Sequence, residues 1–287
     1  MSGIALAGTI KNSAASDINS TDRTWEKRAT QGRGPMTMLW QTLTAGTAIL
    51  AAALTAPAVS AAPARNVILV HGALADGSGW KGVYDRLKAK GYKVFVVQQP
   101  QTTEEEDVQA VQRAIALQDG PVVLVAHSYG GQLITEAGSD PKVTALVYVA
   151  AAVPEVGESL TDLFKRVPSP TGEDIRPTGD GFLMLDPAKF RDAFAADLPT
   201  SQTDFMANSQ VLISAKAFET KTKVAAWKKK PSYGIVAQLD RTASPELVRF
   251  MYTRANAKIT EIPGASHAVF ISHPDKVAAV IEEAASH

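Results

Sequence analysis

Short runs of β-branched and aliphatic residues alternate along this chain with longer stretches whose apolar positions recur at helical spacing. Asn66 to Val70 (Asn-Val-Ile-Leu-Val) reads as a fully buried strand. Runs at 93–98, 122–126, 143–150, 232–238 and 257–262 read as further strands. Helical patterns separate them at about 80–90, 103–117, 129–137, 245–254 and 274–285. Such alternation implies an α/β fold, a doubly wound and mostly parallel sheet with helices on both faces. In that arrangement active residues lie at the carboxyl ends of the strands.

The alternation breaks once, at about 153–231, where helical patterns mix with loops such as Pro168-Ser169-Pro170-Thr171-Gly172. The segment is too long for a simple connection and predicts a helical lid inserted late in the sheet. Phe164, Phe182, Phe190, Phe194, Phe205 and Phe218 fall within it. Most are read as packing the lid's own small core, the alternative being an apolar roof over a substrate.

The first sixty residues follow a different pattern. Residues 1–35 are polar, with Lys27, Arg28 and Arg33 preceding a stretch from Gly34 to Ala64 that carries no charge. Residues 39–56 are rich in Ala and Leu, and Val59 and Ala61 put small residues where a signal peptidase reads. The expectation is a polar leader at 1–35, a secretory signal at 36–61 cleaved after Ala61, and a domain at 62–287, with Met36 or Met38 as alternative starts. The rival reading of the apolar run is a membrane anchor. The expected location is therefore periplasmic or secreted.

Composition narrows the partners. There are 29 basic against 29 acidic residues, so nothing in the charge balance seeks nucleic acid or an anionic membrane. Lys228-Lys229-Lys230 reads as a solvated helix end before Pro231, and Glu104-Glu105-Glu106 after Thr102-Thr103 as a capped helix start rather than a metal site. The absence of cysteine excludes disulfides and thiolate metal sites.

The chemistry concentrates at strand ends. The strand at 122–126 runs into Ala126-His127-Ser128-Tyr129-Gly130-Gly131, a serine flanked two residues away on each side by small residues. This is the signature of a nucleophile elbow, in which a tight strand-to-helix turn holds the hydroxyl clear of the sheet and only small neighbours fit. Ala126 stands where glycine is more usual. The first strand ends in a glycine-rich loop, His71-Gly72-Ala73-Leu74, whose backbone N–H groups suit an oxyanion. Asp240 follows the strand at 232–238, and His267 follows the strand at 257–262. The order Ser128, Asp240, His267 is that of one class of serine hydrolase.

Through His71-Gly72-Ala73, the Ser128 elbow, Asp240-Arg241 and Gly264-Ala265-Ser266-His267-Ala268, the chain from about Asn66 onward resembles the α/β-hydrolase superfamily. Within it the segments look most like small esterases related to methyl-salicylate esterases and hydroxynitrile lyases, and to their bacterial relatives. The resemblance implies a catalytic triad of Ser128, His267 and Asp240, with the N–H groups of Ala73 and Tyr129 as oxyanion donors. Leu74 and Trp80 are the expected substrate contacts, and Glu155 is the alternative acid. His71 is expected to shape its loop, His127 to pack beside the elbow and His273 to cap a helix. The lyases typically carry lysine directly after the catalytic histidine, whereas Ala268 stands there in this chain. A small-molecule ester is thus the expected substrate, with a lyase or a non-catalytic ligand receptor as alternatives. No cofactor, metal, nucleic acid or stable membrane partner after signal cleavage is expected.

Overall fold

The computed structural model describes residues 63–286, and the leader and signal peptide expected at 1–35 and 36–61 lie outside them. In chain order the first half comprises β1 (Asn66–Val70), α1 (Lys81–Ala89), β2 (Lys93–Val97), α2 (Glu104–Ala116), β3 (Val122–His127), α3 (Gly130–Ala137) and β4 (Val143–Val149). A cap follows: α4 (Leu160–Arg166), β5 (Ile175–Pro177), β6 (Phe182–Leu185), α5 (Phe190–Phe194), α6 (Thr200–Asn208), β7 (Ile213–Ser214) and α7 (Ala215–Glu219). The chain then returns to the main sheet with β8 (Ser232–Ala237), α8 (Pro245–Arg254), β9 (Lys258–Ile262), α9 (Val269–Ser272) and α10 (Pro274–Ala285).

Six parallel strands form the main sheet in the order β2-β1-β3-β4-β8-β9. The chain starts at β1, steps outward to β2, then crosses to the other side of β1 and continues through β3. The carboxyl ends of β1 and β3 therefore flank the topological switch point, where open α/β sheets form their binding crevice. Alternate side chains serve two cores. Ile68, Val70, Leu124 and Leu146 pack with α2, α3 and α8, and Val67, Leu69, Val123 and Val147 pack with α1 and α10. Coverage of both faces explains why β1, β3 and β8 are continuously buried, as parallel strands generally are.

Local signals set the helix ends. Thr103 accepts the N–H of Glu106 at the start of α2, Ser244 accepts that of Leu247 ahead of Pro245 in α8, and Ser159 with Asp162 forms a capping box on α4.

The cap is not purely helical. Its strands β5, β6 and β7 form an antiparallel sheet of their own. The chain reverses through Thr178-Gly179-Asp180-Gly181, with Gly181 at φ 90° and the Thr178 N–H donating to the carbonyl of Phe182. An Asp-Gly pair before Phe-Leu-Met-Leu is a hairpin signal, and it outweighs the helical spacing read across this segment.

Behind the sheet's carboxyl edge, Tyr252 of α8 holds the segment that follows β4. Its Oη accepts the N–H of Ala151 at 2.9 Å and donates to the carbonyl of Tyr148 at 3.0 Å. Between those residues Ala150 sits at φ 46°. Tyr252→Phe strands a buried donor and a buried acceptor and is expected to lower unfolding free energy by about 1–3 kcal/mol. Denaturant melts compared at equal m-value measure the loss.

Candidate active site

The register of β1 and β3 builds the surroundings of Ser128. Val70 pairs with Ala126, so Gly72 and Ser128 stand side by side two residues beyond the paired positions. A Cβ on Gly72 would come within 2.7 Å of the Ser128 Cβ, and one on Gly130 within 2.6 Å of the His71 carbonyl oxygen. On Gly131 it would lie 2.1 Å from the Ala152 oxygen. Ser128 itself takes the left-handed conformation at φ 52°. Its carbonyl accepts the N–H groups of Gly131 and Ala152, both at 3.0 Å, which anchors the turn to α3 on one side and to the segment after β4 on the other. Ala126, fully buried, fits where glycine is more usual because its side chain joins the core shared with Val70 and Leu124.

Asp240 and His267 meet at the carboxyl ends of β8 and β9. One oxygen of Asp240 accepts the N–H groups of Thr242 (2.8 Å) and Ala243 (2.9 Å), leaving the other to accept His267 Nδ1–H at 2.7 Å. A carboxylate acceptor at Nδ1 places the neutral ring's proton there and leaves Nε2 as the proton acceptor. Among the described residues Nε2 has no hydrogen-bond partner. Glu155 lies elsewhere and pairs with Lys228 at 2.6 Å. The cap holds both loops of the Asp–His pair. Thr242 Oγ1 donates to the Ala193 carbonyl (2.9 Å), Ala268 N–H to the Phe194 carbonyl (3.0 Å), and the Ser266 hydroxyl to Asp197. The Phe194 ring meets the imidazole of His267 edge-on at 4.9 Å.

Of the remaining histidines, His71 donates from Nδ1 to the carbonyl of Gly72 at 2.9 Å, and burial lowers its pKa to about 4, so the ring is neutral and shapes its loop. Burial, with the neighbouring His267 adding to it, also holds His127 well below the usual histidine range. The His127 Nε2 donates to the carbonyl of His267 at 3.0 Å. His273 stands at the N-cap of α10 without a side-chain capping bond.

Among the described residues no acceptor takes the N–H of Ala73 or of Tyr129. Both residues, with Ser128 and Leu74, line a cavity of about 660 Å³. Phe164, Phe194 and Phe218 of the cap line it too, Phe190 is buried in the core and Phe205 is exposed, so the cap's phenylalanines divide between roof and packing. Trp80 does not reach the cavity. It is fully buried with α1 and α10 on the opposite face of the sheet, its ring 4.5 Å from that of Phe270, which corrects its expected role as a substrate contact. The physical reason is the single turn of 3-10 helix at Gly77–Trp80, which carries the indole over the sheet edge into that second core.

Residues 67–280 match the alpha/beta hydrolase family. The chain belongs to that family. An alpha/beta hydrolase from Aspergillus novofumigatus is 31% identical over 242 residues, covering 76% of this chain and 96% of that protein. The esterase PIR7B of Oryza sativa subsp. japonica is 25% identical, covering 78% of this chain and 96% of the rice protein. A carbendazim-hydrolysing esterase from a Nocardioides species is 32% identical over 119 residues, 37% of this chain and 49% of that esterase. Among solved structures, a pyrethroid hydrolase from Sphingobium faniae superposes with a TM-score of 0.68 at 23% identity, over 77% of this chain and 97% of that one. Polyneuridine aldehyde esterase superposes at 0.67 and 18%, over 77% and 98%. The rice and Aspergillus relatives match this chain over nearly their whole length, and the solved structures share its fold.

Two site residues escaped the sequence reading. Asp107, fully buried, accepts the Tyr129 hydroxyl at 2.7 Å, and Gln101 accepts the N–H of Leu74 at 3.1 Å. A signal for the first was present: Glu104 and Asp107 fall at helical spacing on the same face as Val108, Val111 and Ile115, which marks them as inward-facing.

Replacing Asp240 by Asn removes the acceptor that orients His267 while keeping the side chain's shape. The expected result is a folded protein whose turnover falls by up to about 10⁴. Glu155→Gln, which breaks only the pair with Lys228, is expected to cost much less. Steady-state rates of the two purified variants on one ester decide between the carboxylates.

Proposed function

We propose that this alpha/beta hydrolase is a serine hydrolase that cleaves a small, hydrophobic carboxylic ester through an acyl-enzyme on Ser128. The observation that carries the reading is the Asp240–His267 pair at 2.7 Å with an unpartnered imidazole Nε2, on the same sheet edge as a serine at φ 52°. A serine hydroxyl is a poor nucleophile at neutral pH, so His267 Nε2 takes its proton as Oγ attacks the ester carbonyl, and Asp240 stabilises the resulting imidazolium. The carbonyl oxygen becomes an oxyanion facing the N–H groups of Ala73 and Tyr129. One such donor is worth about 10²–10³ in rate. The tetrahedral intermediate collapses, the alcohol leaves with the proton from Nε2, and a water activated by the same nitrogen releases the acid and frees Ser128.

The cavity favours an apolar substrate. Above Ser128 it is walled by side chains such as Leu74, Phe164, Phe218, Leu247 and Met251, which reward burial of hydrocarbon at about 25 cal/mol per Å². The hydrolytic activities named for the rice and Nocardioides relatives are consistent with an ester as the bond broken.

A fluorophosphonate probe is expected to label Ser128 and p-nitrophenyl esters to turn over, with both activities lost in Ser128→Ala. Labelling that persists in that variant overturns the assignment.

The reading extends to export, supported by the uncharged stretch from Gly34 to Ala64 and the small residues Val59 and Ala61. Expressed in a bacterium with its leader, the protein is expected outside the cytoplasm with Ala62 as its first residue. N-terminal sequencing of the exported fraction is the check, and a full-length membrane-embedded product favours the anchor.

A further inference from the structure

The two N–H groups expected to meet the oxyanion come from different parts of the chain, and the sheet does not set their separation. Ladder pairing between β1 and β3 ends at Val70 and Ala126, short of both Ala73 and Tyr129. Beyond that point a chain of buried side chains spans the gap. Gln101, between β2 and α2, accepts the N–H of Leu74 at 3.1 Å through Oε1 and donates through Nε2 to the carbonyl of Ala75 at 2.9 Å. Its own backbone N–H donates to one oxygen of Asp107 at 2.7 Å. The other oxygen of Asp107 accepts the Tyr129 hydroxyl, also at 2.7 Å. Gln101 and Asp107 are both fully buried.

Two further observations make this more than packing. Leu74 and Gln101 are non-glycine residues in the left-handed region, at φ 61° and 59°, a conformation that costs of order 1 kcal/mol or more and persists only where surrounding contacts over-determine it. The bridge supplies such contacts at both. Moreover, Asp107 accepts one donor at each of its two oxygens, an arrangement that favours the carboxylate over the acid. Burial raises its pKa, opposed by the bonds from Tyr129 and Gln101, to about 6, which leaves it ionised at neutral pH.

We infer that Asp107, acting through Gln101 and the Tyr129 hydroxyl, is a positioning residue that sets the spacing between the Ala73 and Tyr129 N–H groups. It touches no reacting atom. Its effect is to keep the first loop and the elbow at the separation an oxyanion requires, and because hydrogen bonds to developing charge are steep in geometry, a small misplacement falls on the transition state rather than on substrate binding. The inference rests on the serine-hydrolase reading.

The test uses Asp107→Leu, which is close in size and removes both acceptor oxygens, and Tyr129→Phe, which removes the hydroxyl and keeps the backbone N–H. Rates on p-nitrophenyl acetate are normalised to sites titrated with the fluorophosphonate. For both variants kcat is expected to fall about 10- to 100-fold with KM changed less than about threefold. Affinity for a short alkyl trifluoromethyl ketone, whose serine adduct carries an oxyanion, should weaken in parallel with kcat. The double variant should lose little beyond either single one, because both cut the same bridge. If Asp107→Leu does not fold, Tyr129→Phe and Gln101→Met carry the same comparison. A lowered melting temperature with kcat per titrated site and ketone affinity both unchanged assigns the bridge to stability alone and overturns the inference. A wild-type protein inert to ester and probe overturns the parent reading and this inference with it, whereas an active wild type matched by its variants overturns the inference only.

Discussion

A serine held in the left-handed conformation costs a fold on the order of 1–3 kcal/mol, and the rest of this site depends on how that cost is offset. The left-handed turn presents Ser128 at the sheet's carboxyl edge and brings the chain on either side of it so close to its surroundings that three positions tolerate no Cβ. These positions, Gly72, Gly130 and Gly131, abut the Ser128 side chain, the His71 carbonyl and the Ala152 carbonyl respectively. The compensation is spread over the fold. The buried strand β3 feeds the turn, its carbonyl is bonded from α3 and from the segment after β4, and that segment is held from behind by Tyr252.

The Asp–His pair depends on a different layer. Asp240 and His267 lie on loops beyond β8 and β9, and the cap's residues Ala193, Phe194 and Asp197 bond to the chain beside each of them. The same short element that presents Phe194 to the cavity therefore also fixes the imidazole and its acid. Cavity shape and the alignment of the Asp240–His267 pair are coupled mechanically, because a displacement of α5 would move the cavity wall and that pair together.

Much of this was legible in the one-dimensional pattern. The six main-sheet strands and their helices fall within a residue or two of where periodicity put them, since a buried parallel strand and an amphipathic helix each impose a repeat that short windows reveal. The elbow was legible for the same reason, a local backbone conformation that demands small residues at fixed offsets. The three-stranded cap sheet was missed because its strands are two to four residues long, too short to show a two-residue repeat of their own in the sequence.

By itself, then, the sequence determined the alternation of the main fold, the place of the left-handed serine, the glycine-rich loop beside it and the order of the chemically capable residues, all properties of local backbone conformation and burial. Only tertiary structure decided that Asp240 rather than Glu155 meets His267, that Trp80 belongs to the far core, that three cap phenylalanines reach the cavity, and that Asp107 faces the elbow. Each of these is a meeting of residues from separate elements, such as the 27 positions between Asp240 and His267 or the 22 between Asp107 and Tyr129. Such meetings are fixed by strand register and by the face onto which each helix packs, neither of which is encoded in any short window of residues.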